Sequence, residues 1–436
     1  MPYIGRFGQA GLKKEITAGT LATPPDRYRR FQLPFNFSTD IALLIGKGVQ
    51  GLADEVLRTA QGPGQLKGGK LKYELDLNEV GDDLMAMFGT DTVTEVASFT
   101  ISTGANDTLD FDIGAGQLSC TIAPGTYKAG QTQADTGTLC QLIYAAIHAA
   151  EAAGTYTVAF TRSATGGTFT ITRSAGTFDI LTKTGTNTAK SIGPTIGFPV
   201  SADETASLTY TGATVSAVYS HAFSRIQSAT PPTYSWWQKN GLDYPQHLGC
   251  MLSKLELSAK AKEFVEMDTE WLGLSYDANG TTKTASFSAL NPCKFNMCAF
   301  TIGGAPSANY DDVKLTFNNS VAVEHSVSAT IWGTKIYSKG FKTDVNLSLM
   351  IEDLTEWAKF IAGTSSSLSL AITSPDLIKA GFPYSLTISI PHLAYGAAPR
   401  QLPSGLIKVV FTGHAVNPDS TYSTLPTLVN GYGLSY

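Results

Sequence analysis

One phrase is written twice in this chain, 272 positions apart, and it restricts the folds available more than any other feature. In Lys70-Leu-Lys-Tyr-Glu-Leu-Asp-Leu, the apolar positions Tyr73, Leu75 and Leu77 alternate with Lys72, Glu74 and Asp76, the period-two pattern of a half-buried strand. Asn78 is placed to cap a following helix, and Asp82 and Asp83 lie near the positive end of its dipole. Leu84, Met87 and Phe88 give that helix an apolar face, and Gly89 stops it. The second copy alternates Val345, Leu347 and Leu349 with Asp344, Asn346 and Ser348. It continues through Glu352 and Asp353 into Leu354, Trp357, Phe360 and Ile361, and closes at Gly363. The step from the last strand leucine to the closing glycine, Leu77 to Gly89 and Leu349 to Gly363, is nearly the same in both copies.

A second phrase also recurs. Leu255 and Leu257 lead through a turn into Val265, Met267, Thr269 and Trp271. Leu386, Ile388 and Ile390 lead through a longer loop into Ile407, Val409 and Phe411. Self-similarity of this kind predicts two tandem modules of one build. The fold class expected is mainly β (α+β): two β-sandwich or barrel modules, each with a flanking helix, plus a small inserted α+β domain.

The insert is visible as a change of composition. The stretch 96–213 is crowded with threonine and carries charged residues more sparsely than the chain on either side of it. Strands are expected at Leu109–Ile113, Tyr156–Arg162 and Thr168–Arg173, with an amphipathic helix at Asp135–Glu151 whose stripe is Leu139, Leu142, Ile143, Ala146 and Ile147. The division that follows is an extended N-terminal arm over 1–33, a discontinuous first module over 34–95 and 214–300, the insert over 96–213, a second module over 301–416 and an extended C-terminal arm over 417–436. Within 40–59 only Ala53–Arg58 reads as helical.

Charge excludes some functions. The net charge of −5 and the 15% of charged residues give no basic surface for gripping nucleic acid. So low a charge suits a surface covered by partners. No 18-residue apolar run exists to span a bilayer, and no leader with a basic and then an apolar stretch opens the chain. Five cysteines (Cys120, Cys140, Cys250, Cys293, Cys298) are odd in number and thinly spread, as buried thiols in a reducing compartment would be.

A search for chemistry leaves little. Gly64-Gln-Leu-Lys-Gly-Gly-Lys70 has phosphate-loop spacing, but Leu71 stands where Ser or Thr must bind magnesium, and a strand follows instead of a helix. His148, His221, His247, His325, His392 and His414 are scattered singly. No G-x-S-x-G elbow occurs. The carboxylate pairs Asp82/Asp83, Asp110/Asp112 and Asp311/Asp312 suit helix starts and turns. Trp236-Trp237, in a proline-rich context, is expected at a subunit interface. No catalytic, cofactor-binding or metal site is assigned, and no cofactor or enzyme activity is expected.

Duplicated β-modules without chemistry describe a self-assembling structural protein, and the motifs give that a family. Gly11-Leu-Lys-Lys-Glu-Ile-Thr-Ala-Gly-Thr with Pro24-Pro25 is similar to the start of major tail tube proteins of long-tailed (siphovirus-type) bacteriophages. Leu71-Lys-Tyr-Glu-Leu-Asp-Leu, Leu84-Met-Ala-Met-Phe-Gly, Leu252-Ser-Lys-Leu-Glu-Leu-Ser and Phe341-Lys-Thr-Asp-Val-Asn-Leu-Ser-Leu extend the resemblance over about 1–95 and 214–436. The insert, through Asn106-Asp-Thr-Leu-Asp-Phe-Asp-Ile, Gly125-Thr-Tyr and Ser191-Ile-Gly-Pro-Thr-Ile-Gly-Phe, resembles a separate module of phage tail and virion proteins. The resemblance implies sheets that join neighbouring subunits into rings. Stacked rings then form a virion tail tube through which genome DNA passes during ejection without specific binding. It also implies contacts with a tape measure protein and with tail terminator and tip proteins, and synthesis in the host bacterial cytoplasm. The rivals are a β-rich adhesin or glycan-binding fibre protein and a hydrolase built from dispersed acids.

Four expectations follow. The lumen wall should be acidic or neutral, with Glu74, Asp76, Glu266 and Asp268 as candidates. The insert should be a knob on the outer face. The two arms should order on a neighbouring subunit. Two modules per chain should close a homotrimeric pseudo-six-fold ring, with a homohexamer as the alternative.

Overall fold

The computed structural model describes residues 9–22, 25–46, 58–227, 230–239, 244–277, 280, 283–307, 310–327, 330–350, 355–397, 400–401, 408–417 and 422–436. The described residues are mostly strands, with three α-helices. The first part of the chain gives β1 (Gln9–Lys14), β2 (Arg27–Arg29), β3 (Gln32–Gly46), β4 (Arg58–Glu74), α1 (Gly81–Phe88) and β5 (Gly89–Val96). An excursion follows that includes β6 (Thr108–Asp112), α2 (Leu139–Ala150), β7 (Tyr156–Ser163), β8 (Gly166–Arg173) and β9 (Thr209–Thr211). The chain returns through β10 (Val218–Arg225), β11 (Tyr234–Lys239), β12 (Gln246–Lys260), β13 (Glu266–Gly273), β14 (Cys298–Ile302) and β15 (Tyr310–Asn318). It ends with β16 (Lys342–Met350), α3 (Thr355–Ala362), β17 (Ser366–Lys379), β18 (Phe382–Ala397), β19 (Lys408–Ala415) and β20 (Leu425–Asn430).

Eight of these strands form one antiparallel run in the order β3-β4-β13-β12-β15-β16-β19-β18. The first four come from the first copy of the repeated phrases and the last four from the second. A second run, β5-β10-β20-β18-β17-β14, packs behind it and shares the long strand β18. Alternation decides what lies between them. Tyr73 and Leu75, Leu255 and Leu257, Met267, Leu315 and Phe317, Val345 and Leu347, Ile388 and Phe411 are all buried in one apolar cluster that spans both copies. This is the mainly β architecture read from the repeats.

Helix α1 seals that cluster with Leu84, Met87 and Phe88, and Phe88 meets Phe317 edge-on at 5.4 Å. Asn78 does not cap it. The helix begins after Val80 without a side-chain cap, and Asp76 instead accepts the Asn78 amide at 2.8 Å in the preceding turn. Gly89 ends the helix at φ +91°, where a Cβ would lie 2.5 Å from Ile226. Gly363 repeats this at φ +67° after α3. The expected helix at Ala53–Arg58 lies outside the described residues up to Arg58, which opens β4. Glu352, Asp353 and Leu354 also lie outside them.

The terminal segments differ from the expectation of arms laid on a neighbour. β1 pairs with β2 and β11 of its own chain, burying Ala10 and Leu12. β20 is wedged between β10 and β18, and Tyr436 packs over α1 so tightly that a Cβ on Gly81 would sit 2.0 Å from its ring. Their periodicity is short because each strand is short and its partners are distant in sequence. Tyr3, Ile4 and Phe7 lie outside the described residues. Trp236 and Trp237 are likewise not at a surface. Both lie in β11 and are 1% and 4% exposed, with Trp236 edge-on to Trp271 at 5.2 Å. β11 is covered on both faces, so its apolar residues run consecutively and mimic a loop motif.

The excursion replaces the turn of a hairpin. β5 and β10 pair from Gly89↔Arg225 to Val96↔Val218, and the excursion has its own apolar cluster around Phe99, Phe111, Ile143, Phe160 and Ile171. Helix α2 begins at Leu139, capped by Thr138, later than the expected Asp135. Asp135 instead accepts the Gln131 and Thr132 amides in the preceding turn.

Candidate functional site

The residues that alternate with the core in the eight-strand run form its other face, and that face is a lattice of opposite charges. Ladder register aligns Gln32, Lys72, Asp268, Glu256, Thr316, Asp344, His414 and Ala394 in one row, one residue per strand. Two positions to one side lies Lys70-Glu270-Lys254-Asn318-Lys342; to the other lies Glu74-Glu266-Ser258-Lys314-Asn346-Thr412, and beyond it Lys260-Asp312-Ser348-Val410.

Each lysine in these rows has a carboxylate beside it. Lys72 reaches Glu266 at 2.7 Å and Lys70 reaches Glu270 at 3.9 Å. Lys254 and Lys314 share Glu256 at 2.9 and 2.5 Å, Lys342 meets Asp344 at 2.9 Å, and Lys260 meets Glu263 at 2.7 Å. His414 also contacts Asp344. Partial burial pushes the Glu256 carboxyl up, but its two ammonium partners outweigh this and hold it below the ordinary glutamate value. Asp268 lies directly opposite Glu256, and its carboxyl is raised by burial and then by that neighbouring charge. Among the described residues this face offers a polyanion no unpaired row of ammonium groups, so little counterion release would reward its binding.

Of the four acidic candidates, Glu74, Glu266 and Asp268 stand on this face. Asp76 does not: it is 9% exposed, and its carboxylate is used in the turn before α1. Asp82 and Asp83 are also enclosed. Arg29, fully buried, meets Asp83 at 2.9 Å and Asp82 at 3.8 Å, Arg27 meets Asp82 at 3.3 Å, and Tyr73 donates to Asp83 at 2.6 Å. Asp110 accepts Ser119 and Asn187, and Asp112 accepts the Gly114 and Gly116 amides. These acids close turns and brace strands.

The other residues singled out in the sequence are dispersed. Gly64–Lys70 lies inside β4, with Gly64 under the Trp332 ring. Among the described residues no three His, Cys, Asp or Glu side chains gather as metal ligands, and no helix is long and apolar enough to cross a membrane. Burial pushes the thiols of Cys120, Cys140 and Cys293 up to about 12 and that of Cys298 to about 11, so all four stay protonated near neutrality. Burial lowers His247 to about 4. His221 faces Asp91 at 3.0 Å and the Tyr432 carbonyl at 2.8 Å, which ties the C-terminal segment to the β5–β10 hairpin.

The described residues thus define a β-sheet protein with one extended, charge-paired face. The family model described as phage tail tube protein matches residues 5–405, and the chain belongs to that family. It is therefore a structural protein of the bacteriophage virion, located in the tail and self-assembling into a tube. No curated protein matches the chain.

Proposed function

We propose that three copies of this chain close a ring with pseudo-six-fold symmetry, and that stacked rings form the tail tube of a long-tailed phage and the conduit for its DNA. The observation that carries this reading is the eight-strand run, in which both copies of the repeat contribute four strands in the same order to one continuous sheet. Three such runs make 24 strands. At about 4.8 Å between strands and a tilt near 40°, their backbone barrel would be roughly 50 Å across. The charged lattice would line the lumen, and the pairing of every lysine in its described rows suits DNA that must slide and not stick.

In this reading 34–95 with 214–300, and 301–416, are the two wall modules, and the excursion is a separate virion module on the outer surface. The ends of the tube would meet the terminator and tip proteins, and the lumen would first hold a tape measure protein. Synthesis takes place in the host cytoplasm. The chain is not an enzyme. The test is assembly: the purified full chain should form hollow tubes of uniform width under negative stain. A protein that stays monomeric under all assembly conditions while binding host glycans on an array would replace this reading with that of a fibre adhesin.

A further inference from the structure

The seam between the two copies inside the chain has a counterpart at the ends of the eight-strand run. Within the chain, the first copy ends at β12 and the second begins at β15, and these edges are joined antiparallel from Lys254↔Asn318 to Lys260↔Asp312. Register matches the two copies along the row that begins at Gln32. Lys72 and Asp344 are equivalent in the repeated phrase, and the ladders extend this to Asp268 with His414, Glu256 with Ala394, and Gln32 with Thr316. The outer edges of the run are therefore the two halves of the same seam, separated. In that register Tyr310–Asn318 of β15 corresponds to residues 26–34, which hold β2 and the start of β3, and Lys254–Lys260 of β12 corresponds to residues 392–398 at the end of β18.

We infer that the end of β18, beyond Leu393, which already pairs with both β17 and β19, binds the start of β3 and the residues just before it in a second copy of this chain, antiparallel, with Ala394 directly opposite Gln32 as Glu256 is opposite Thr316. This rests on the trimeric reading above and gives it an interface. In the internal seam the adjoining row is Leu257↔Leu315, 1% and 0% exposed. Its counterpart brings together Tyr395 and Phe31, both only partly buried in the single chain although packed on the same core. The second copy completes the burial that the internal seam already has. One difference is built in. Glu256 bridges the internal seam to Lys314 at 2.5 Å, whereas Ala394 has no charge to offer. The contact between chains thus depends on backbone pairing and the aromatic row, and its formation should respond weakly to salt.

The test uses the full chain in a Cys298→Ser background, which removes the one partly exposed thiol. Tubes of Gln32→Cys/Ala394→Cys, mildly oxidised, should migrate as covalent dimers and closed trimers without reductant. Each single variant, and a Gln32→Cys/His392→Cys pair two positions out of register, should stay monomeric. Should the double variant not assemble, a photo-crosslinking phenylalanine analogue at Tyr395 gives the second reading, with mass spectrometry expected to find it joined to residues 30–33 of another chain. Intact tubes in which the out-of-register pair cross-links instead, or in which the analogue joins a segment other than residues 30–33, would overturn the seam. Cross-linking in the stated register within a six-chain ring would keep the seam and refute the trimer; a three-chain ring joined elsewhere would do the reverse.

Discussion

Val96 and Val218 are direct partners in an antiparallel ladder although 122 positions separate them in sequence. The excursion between them enters and leaves through adjacent strands, as a hairpin turn would. Glu95, 4% exposed, secures its base by accepting the amides of Ala129 and Gly130, and Tyr219 donates to the Gly166 carbonyl at 3.0 Å. Replacing residues 97–217 by an Asn-Gly turn should therefore restore an ordinary hairpin and leave tube assembly intact, with a lower melting temperature from the lost contacts. Electron microscopy of the shortened chain checks this. Loss of tubes in a folded variant would place the excursion in the wall.

The charge lattice gives a second prediction. Glu256→Lys with Glu270→Lys removes the partners of Lys254, Lys314 and Lys70 and adds two cations. Tubes of this variant should retain duplex DNA at low salt and release it as salt rises, while unaltered tubes retain little. Filter binding across a salt series measures it, and equal retention by both would show that the lattice plays no part in DNA passage.

Asp82 sets a pH dependence. Burial, which outweighs the attraction of Arg27 and Arg29, pushes its carboxyl up to about 6. The folded state then holds this proton more firmly than the unfolded chain, whose carboxyl titrates near 4. Its contribution is fully present below about pH 4 and is lost as pH rises through 6. Asp82→Asn should abolish that component, so the difference in melting temperature between variant and parent should change across pH 4–7. A constant difference would contradict the assignment.

The C-terminal segment is part of the fold, and truncation should show it. Removing residues 425–436 takes away β20 and the Tyr436 ring, so the expected outcome is an unstable subunit and not a stable one that fails to stack. Tyr436→Ala alone should cost about 3–5 kcal/mol, as for other buried aromatics. Gly81→Ala should also destabilise, because its Cβ would lie 2.0 Å from that ring. Chemical denaturation measures both; a cost below about 1 kcal/mol for Tyr436→Ala would show that the ring is dispensable.

What could be read in advance follows from how strands encode their surroundings. Tyr73, Leu75, Val345 and Leu347 were legible because one face of each strand is core and the other is wet. The same alternation placed Glu74, Glu266 and Asp268 on the polar face. It failed for Asp76, which lies just past the strand and serves a turn, and for Trp236-Trp237, whose strand is buried on both faces. β1 and β20 were missed because such short strands carry too little period and their partners lie hundreds of positions away. The pairing of Leu257 with Leu315 had no signature at all, since register between distant strands is not written locally.

The proposed trimer requires both copies to stand in the wall as equivalent units. It is tested most directly by counting chains in a ring cross-section of the assembled tube by cryo-electron microscopy. Three chains are expected, each supplying eight strands, with three internal and three intermolecular seams alternating around the lumen. Six chains around the ring, each placing only one four-strand unit in the wall, would contradict it.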